Sequence, residues 1–200
     1  MRENGIVVER TRKFKATTGS DHTFNIAPNL LDRDFTADRP NHKWAGDISY
    51  IWTREGWLYL VCVLDLYSRR VVGWSMSERM TSELVISALK MALHQRKPKT
   101  DVLLHHSDRG SQYASGAFRS LLRECGITCS MSGRGNCYDN AAMESFFATL
   151  KKELIHQEDY ATRAVARGSI FEYIEVFYNR ERQHSTLGYR SPCQFERGAA

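Results

Sequence analysis

At 200 residues and 42% hydrophobic composition, the chain can bury one core of ordinary size with a short appendage. Its 28 Lys and Arg against 23 Asp and Glu give a net charge of +5 and a pI near 9.0, which suits a polyanionic partner but is also common among soluble enzymes. No apolar run is long enough to span a bilayer, the start MRENGIVVERTRKF lacks a secretory leader, and the five cysteines form no C-x-x-C pair, so the composition argues against a membrane protein, a disulfide framework and a zinc ribbon.

The expected setting is therefore cytoplasmic, with reduced thiols. Residues 1–40 begin basic (ERTRKFKATTGSDH) and continue through two prolines with little periodicity, which reads as an N-terminal arm or linker ahead of a core at 41–200. Three runs follow, DISYIWT, WLYLVCVLDLYS and RRVVGWSM, rich in aromatic and β-branched residues and separated by turn signals such as REG. They predict consecutive antiparallel strands, the first beginning at Asp47. TSELVISALKMALHQR is a helix, with Thr81 or Ser82 placed to cap it, Glu83 in its first turn, and Leu84, Ala88 and Met91 along one face. Next come a short strand in DVLLHH, a helix in SGAFRSLLREC, a strand in ITCSMS, and a long helix from about Asn140. Cys125 and Cys129 fall where the second helix gives way to a strand, with no His/Cys pair following at finger-like spacing.

The order β-β-β-α-β-α-β-α predicts an α/β fold in which the fourth strand, reached through a helix, lies parallel to the first in one mixed sheet. Asp108, at the end of LLHHSD, then faces Asp47 across the sheet. A third carboxylate is Glu144. In the last core helix Met143, Phe146, Phe147 and Leu150 make the buried stripe, while Glu144, Ala148 and Lys151 line an adjacent one. Singly, these acids read as a turn-former, a strand edge and a solvated helix position. Together they are harder to dismiss, because three carboxylates about 5 Å apart repel by roughly 3 kcal/mol per pair at an effective dielectric near 20. Oxygen-rich clusters of this kind bind Mg²⁺ or Mn²⁺, and a pair of ions about 3.5–4 Å apart suits phosphoryl transfer.

Asp108 and Glu144 are separated by 35 residues, and the blocks WAGDISYI, LDLYSRRVVGW, HSDRGSQY and SMSGRGNCYDNAAMESFFATLKKE closely resemble the catalytic core of OrfB-type bacterial insertion-sequence transposases, an IS3-like group within the retroviral-integrase superfamily. The resemblance continues through YNRERQHSTLGYRSPCQF and covers residues 25 to 197. It implies a ribonuclease-H-like fold with a five-stranded mixed sheet, a C-terminal helical extension, and a catalytic and metal-binding triad at Asp47, Asp108 and Glu144. It further implies two Mg²⁺ or Mn²⁺ ions, Asp47 bridging both, with DNA as substrate and a homo-oligomer assembled on it.

His106 and Arg109 flank Asp108 and are candidates to orient it or touch a phosphate. Arg134 in the SGRGN loop, Lys151, Lys152 and Arg182 are further candidate DNA contacts. Asp65 and Asp139 rank below the triad, since the family pattern places no ligand there. Phe171, Ile174 and Tyr178 have the spacing of core packing, and Arg180, Arg182, His184 and Arg190 add positive charge after them. Members of this family carry helical DNA-recognition sequence ahead of the core, so the chain reads as N-terminally shortened. The leading reading is a transposase performing DNA cleavage and strand transfer. A metal-dependent nuclease that only hydrolyses, and an idle DNA-binding remnant, are the alternatives.

Overall fold

The computed structural model describes residues 26–133 and 137–198. Its sheet has five strands: β1 (Lys43–Thr53), β2 (Gly56–Asp65), β3 (Val71–Ser77), β4 (Leu104–Ser107) and β5 (Thr128–Met131), in the order β3-β2-β1-β4-β5. β1, β2 and β3 pair antiparallel, and β4 and β5 join by parallel pairing, as expected for strands reached through helical crossovers. The helices are α1 (Ser82–Arg96), α2 (Ser111–Ala114), α3 (Gly116–Glu124), α4 (Ala141–Glu153), α5 (Arg163–Glu172) and α6 (Pro192–Arg197), α5 running on into a π turn over Tyr173–Tyr178.

Alternation along the strands divides the core in two. Ala45, Ile51, Leu58, Leu60 and Leu64 face α4 and α5, while Trp44, Ile48, Val61 and Val63 face α1 and α3. α1 sits tightly on β3 because Gly73 has no side chain: a Cβ there would come within 2.3 Å of the Ala88 carbonyl oxygen. On the other face Met143, Phe146, Phe147 and Leu150 form the buried stripe of α4, as their spacing predicts.

Three expectations need correction. β1 begins at Lys43, not Asp47, because Lys43–Gly46 pair with β4 and Trp44–Gly46 pair with β2 as well; Gly46 and the preceding proline hide this in the sequence. Phe171 is half exposed and only edges onto Trp74, because the inward positions of this helix fall on Ile170, Tyr173 and Ile174. Thr81 stands at the N-cap of α1, but its side chain makes no cap bond.

Residues 26–40 pack on the core. Leu31 is buried, and the Leu30 and Leu31 N–H groups donate to Ser130 Oγ at 2.9 and 3.1 Å. At the other end α6 is held by Glu196, which accepts hydrogen bonds from Ser68, Arg70 and Arg96 at 2.8–2.9 Å. Among the described residues no helix is long and apolar enough to cross a membrane.

Candidate active site

The parallel ladder of β1 and β4 ends with Gly46 opposite Ser107, and Asp47 and Asp108 are the residues that follow these two in the chain. Asp47 shares the parity of Ala45 and Ile51 and therefore faces α4. Its Oδ1 accepts from the Ile48 N–H at 2.8 Å. Asp108 Oδ1 accepts from the Gly110 N–H at 2.9 Å, closing a local turn. The turn-forming reading of Asp108 is thus correct as far as it goes, and its charge also acts on Asp47.

Burial, then the charge of Asp108, hold the Asp47 carboxyl well above the usual aspartate range, and Glu144 pushes the same way against the Ile48 N–H and Lys151. Glu144 itself is exposed in the first turn of α4. Among the described residues no three His, Cys, Asp or Glu side chains converge closely enough to hold an ion as they stand. The two aspartates nevertheless fit a hard divalent cation, since they offer oxygen alone and their mutual repulsion marks a place short of positive charge. Glu144 has to swing inward to join them.

The other candidates divide. Lys151 is half buried, with its Nζ 5.1 Å from the centre of the Tyr50 ring; burial lowers its pKa and Asp47 opposes that shift. Lys152, next along α4, is exposed. Arg109 donates through Nε to the Ser132 carbonyl at 2.5 Å, which binds the end of β4 to the segment following β5. Arg182 is committed to Glu153, with contacts of 2.7–2.9 Å. Arg134 lies outside the described residues. His106 is buried against Ser130 and Ser132, at 2.8 and 3.2 Å, and burial lowers its pKa to about 4, so it is a neutral bridge to β5.

Asp65 and Asp139 are structural. Asp65 accepts from the Asn41 and Tyr67 N–H groups and lies 3.6 Å from Arg96. Asp139 accepts from the Gly133 N–H at 2.7 Å and from Asn29 and Arg33 at 3.0 Å, joining residues 29–33 to both ends of the segment before α4. Sequence reasoning missed the aromatic cluster of Tyr50, Trp52 and Trp57 beside Lys151. Its only signal was an excess of aromatics at a hairpin, which β-propensity alone accounts for.

Residues 37–137 match a family model described as Integrase core domain, and residues 144–198 match a second model of the same description. The chain is 49% identical over 196 residues to the Transposase InsF for insertion sequence IS3A of Escherichia coli (strain K12), covering 98% of this chain and 68% of that protein. It is 46% identical over 209 residues to the Insertion element IS600 uncharacterized 31 kDa protein of Shigella sonnei, covering 96% and 76%. Among solved structures, a chain of the simian T-cell lymphotropic virus intasome in complex with PP2A regulatory subunit B56 gamma aligns with a TM-score of 0.65 at 20% identity, over 86% of this chain and 57% of that one. The HTLV-2 integrase catalytic core domain in complex with magnesium (trimeric form) aligns with a TM-score of 0.60 at 17% identity, over 80% and 99%. Both likenesses confirm the ribonuclease-H-like fold.

Proposed function

The chain belongs to the integrase-core family, among the transposases of IS3-type insertion sequences, and from that premise we propose that Asp47, Asp108 and Glu144 form its catalytic centre for DNA cleavage and strand transfer. The observation that supports the assignment is that Asp47 and Asp108 follow the last paired residues of neighbouring strands, with the charges of Asp108 and Glu144 both acting on Asp47.

Asp47, Asp108 and, after a side-chain rotation, Glu144 are the residues that would hold a divalent cation, Mg²⁺ or Mn²⁺. When bound, such ions activate the attacking oxygen and stabilise the leaving one. Lys151, in the field of Asp47, holds the phosphate in place. In cleavage, a water oxygen bonds to phosphorus and the bond to the 3′ oxygen breaks, so the strand ends in a 3′-hydroxyl and its neighbour in a 5′-phosphate. In transfer, that 3′-hydroxyl replaces water: its oxygen bonds to a target phosphorus and gives its proton to solvent, while the bond to a target 3′-oxygen breaks and that oxygen takes a proton from solvent to become a hydroxyl. Joining two element ends implies at least two copies of the chain on DNA.

The test is incubation of the chain with pre-cut element ends, a target plasmid and Mn²⁺. Joined product supports transfer. Nicked plasmid without joined product would reduce the activity to hydrolysis, and no change in the DNA would leave only a binding remnant.

A further inference from the structure

The tip of the β1–β2 hairpin carries an aromatic surface that the triad does not use. Trp52 and Trp57 pair across the strands, 4.9 Å between ring centres, and Tyr50 meets Trp57 edge-on at 5.0 Å. Trp52 is 58% exposed and Trp57 42%, a large apolar area to leave in water. They line a groove of about 280 Å³ together with Tyr50, Lys151, His156 and Tyr160. The groove is held open: the Arg54 N–H donates to the Tyr160 carbonyl at 3.0 Å, and Arg163 Nε donates to the Trp57 carbonyl at 3.1 Å.

Two features point to the occupant. Lys151 belongs both to this groove, over the Tyr50 ring, and to the helix that carries Glu144, two turns further along, so the groove and the candidate active site share α4. The lining also sets a cation beside exposed rings, Lys151 for a backbone phosphate and the tryptophans for a base; of the acids Glu158 and Asp159 that share it, Asp159 is already paired with Arg54. We propose that this groove stacks an unpaired DNA base of the strand whose phosphate lies at Lys151. The inference rests on the DNA-processing reading above. Base stacking on aromatic side chains tolerates any sequence and gives a hold on frayed or single-stranded ends that phosphate contacts alone do not.

The experiment is equilibrium binding, without metal so that nothing is cut, of fluorescently labelled duplexes that differ only in a three-nucleotide unpaired thymidine tail. Wild type should prefer the tailed duplex. Trp52→Ala and Trp57→Ala should each weaken tailed binding by roughly 5- to 100-fold, the range expected for loss of one stacked base, and leave blunt binding unchanged. Trp52→Phe, which keeps a ring, should restore most of the preference. Equal affinity of wild type for tailed and blunt DNA would overturn stacking while leaving the DNA-processing reading intact, and no binding to either would overturn both. A lowered melting temperature in Trp52→Ala with the tail preference unchanged would show that the pair only braces the hairpin. Dissociation of a dimer in that variant, again with the preference unchanged, would make this surface a contact between copies.

Discussion

Asp47 and Asp108 directly follow Gly46 and Ser107, the last backbone-paired residues of β1 with β4, and the charge of Asp108 acts on the Asp47 carboxyl. Two consequences follow: the pair exists whether or not an ion is bound, and replacing either carboxylate by its amide removes charge without disturbing the ladder. Asp47→Asn, Asp108→Asn and Glu144→Gln should therefore each reduce cleavage and joining at least a hundredfold, with circular dichroism and DNA retention near wild type. Activity surviving in any one of them would remove that residue from the centre.

The same crowding predicts a response to metal. In chelator, Asp47→Asn should be at least as stable as wild type, because one member of a repelling pair is gone. Millimolar Mg²⁺ or Mn²⁺ should then raise the wild-type melting temperature by binding the native state, and raise that of Asp47→Asn far less. Calorimetric scans of both proteins with and without the ion check this; equal shifts would show that the ion binds elsewhere.

Much of this was legible in the sequence, for identifiable reasons. The strands and α4 announce themselves through period-2 and helical spacing of apolar residues, and the β-α-β crossover dictates which strands are neighbours. What escaped were contacts between distant parts of the chain. Nothing local in HKWAG shows that it pairs on both edges, and nothing in APNLLDRD shows that Leu31 is buried or that Arg33 reaches Asp139. Phe171 was misplaced because the π turn beginning at Tyr173 sits in the segment whose phase the helical spacing was used to read. The proposed triad rests on spacing and resemblance, whereas the outward position of Glu144 and the pairing of Arg182 with Glu153 depend on rotamers that no sequence pattern encodes.

The C-terminal anchor should be acid-sensitive. Burial alone would raise the Glu196 carboxyl, but Arg96, with Arg70 and Ser68, brings it below the ordinary glutamate range. A depressed folded-state value means that the unfolded chain binds more protons, so this stabilisation is present above about pH 4.5 and fades as pH falls through the folded value. Glu196→Gln should cost about 2 kcal/mol near neutrality, since it takes a charged acceptor from Arg70 and Arg96 and leaves Arg96 with only the more distant Asp65, at 3.6 Å. Denaturant melts of both proteins should converge as pH falls from 6 towards 3. A gap that stays constant would assign the effect to packing.

The last prediction concerns how the chain holds DNA. Lysine and arginine contacts to phosphate give affinity without sequence information, and each neutralised phosphate adds about 0.9 to the slope of log affinity against log salt. With four to six phosphates neutralised, the slope for the whole chain should be roughly −4 to −5. The candidates do not contribute equally. Arg182 already has a carboxylate in Glu153, and DNA would have to compete with it; Lys151 and Lys152 lie on α4 beyond Glu144, and Lys151 lines the aromatic groove. Lys151→Ala with Lys152→Ala should therefore make the slope shallower by about 2, whereas Arg182→Ala should leave it within error. Both should act alike on element-end and scrambled duplexes, because neither position has a base-reading element beside it among the described residues. Titrations from low to moderate salt decide the matter: a steep loss in Arg182→Ala would mean that Glu153 releases it to DNA, and a loss confined to element ends would mean that these lysines take part in recognition.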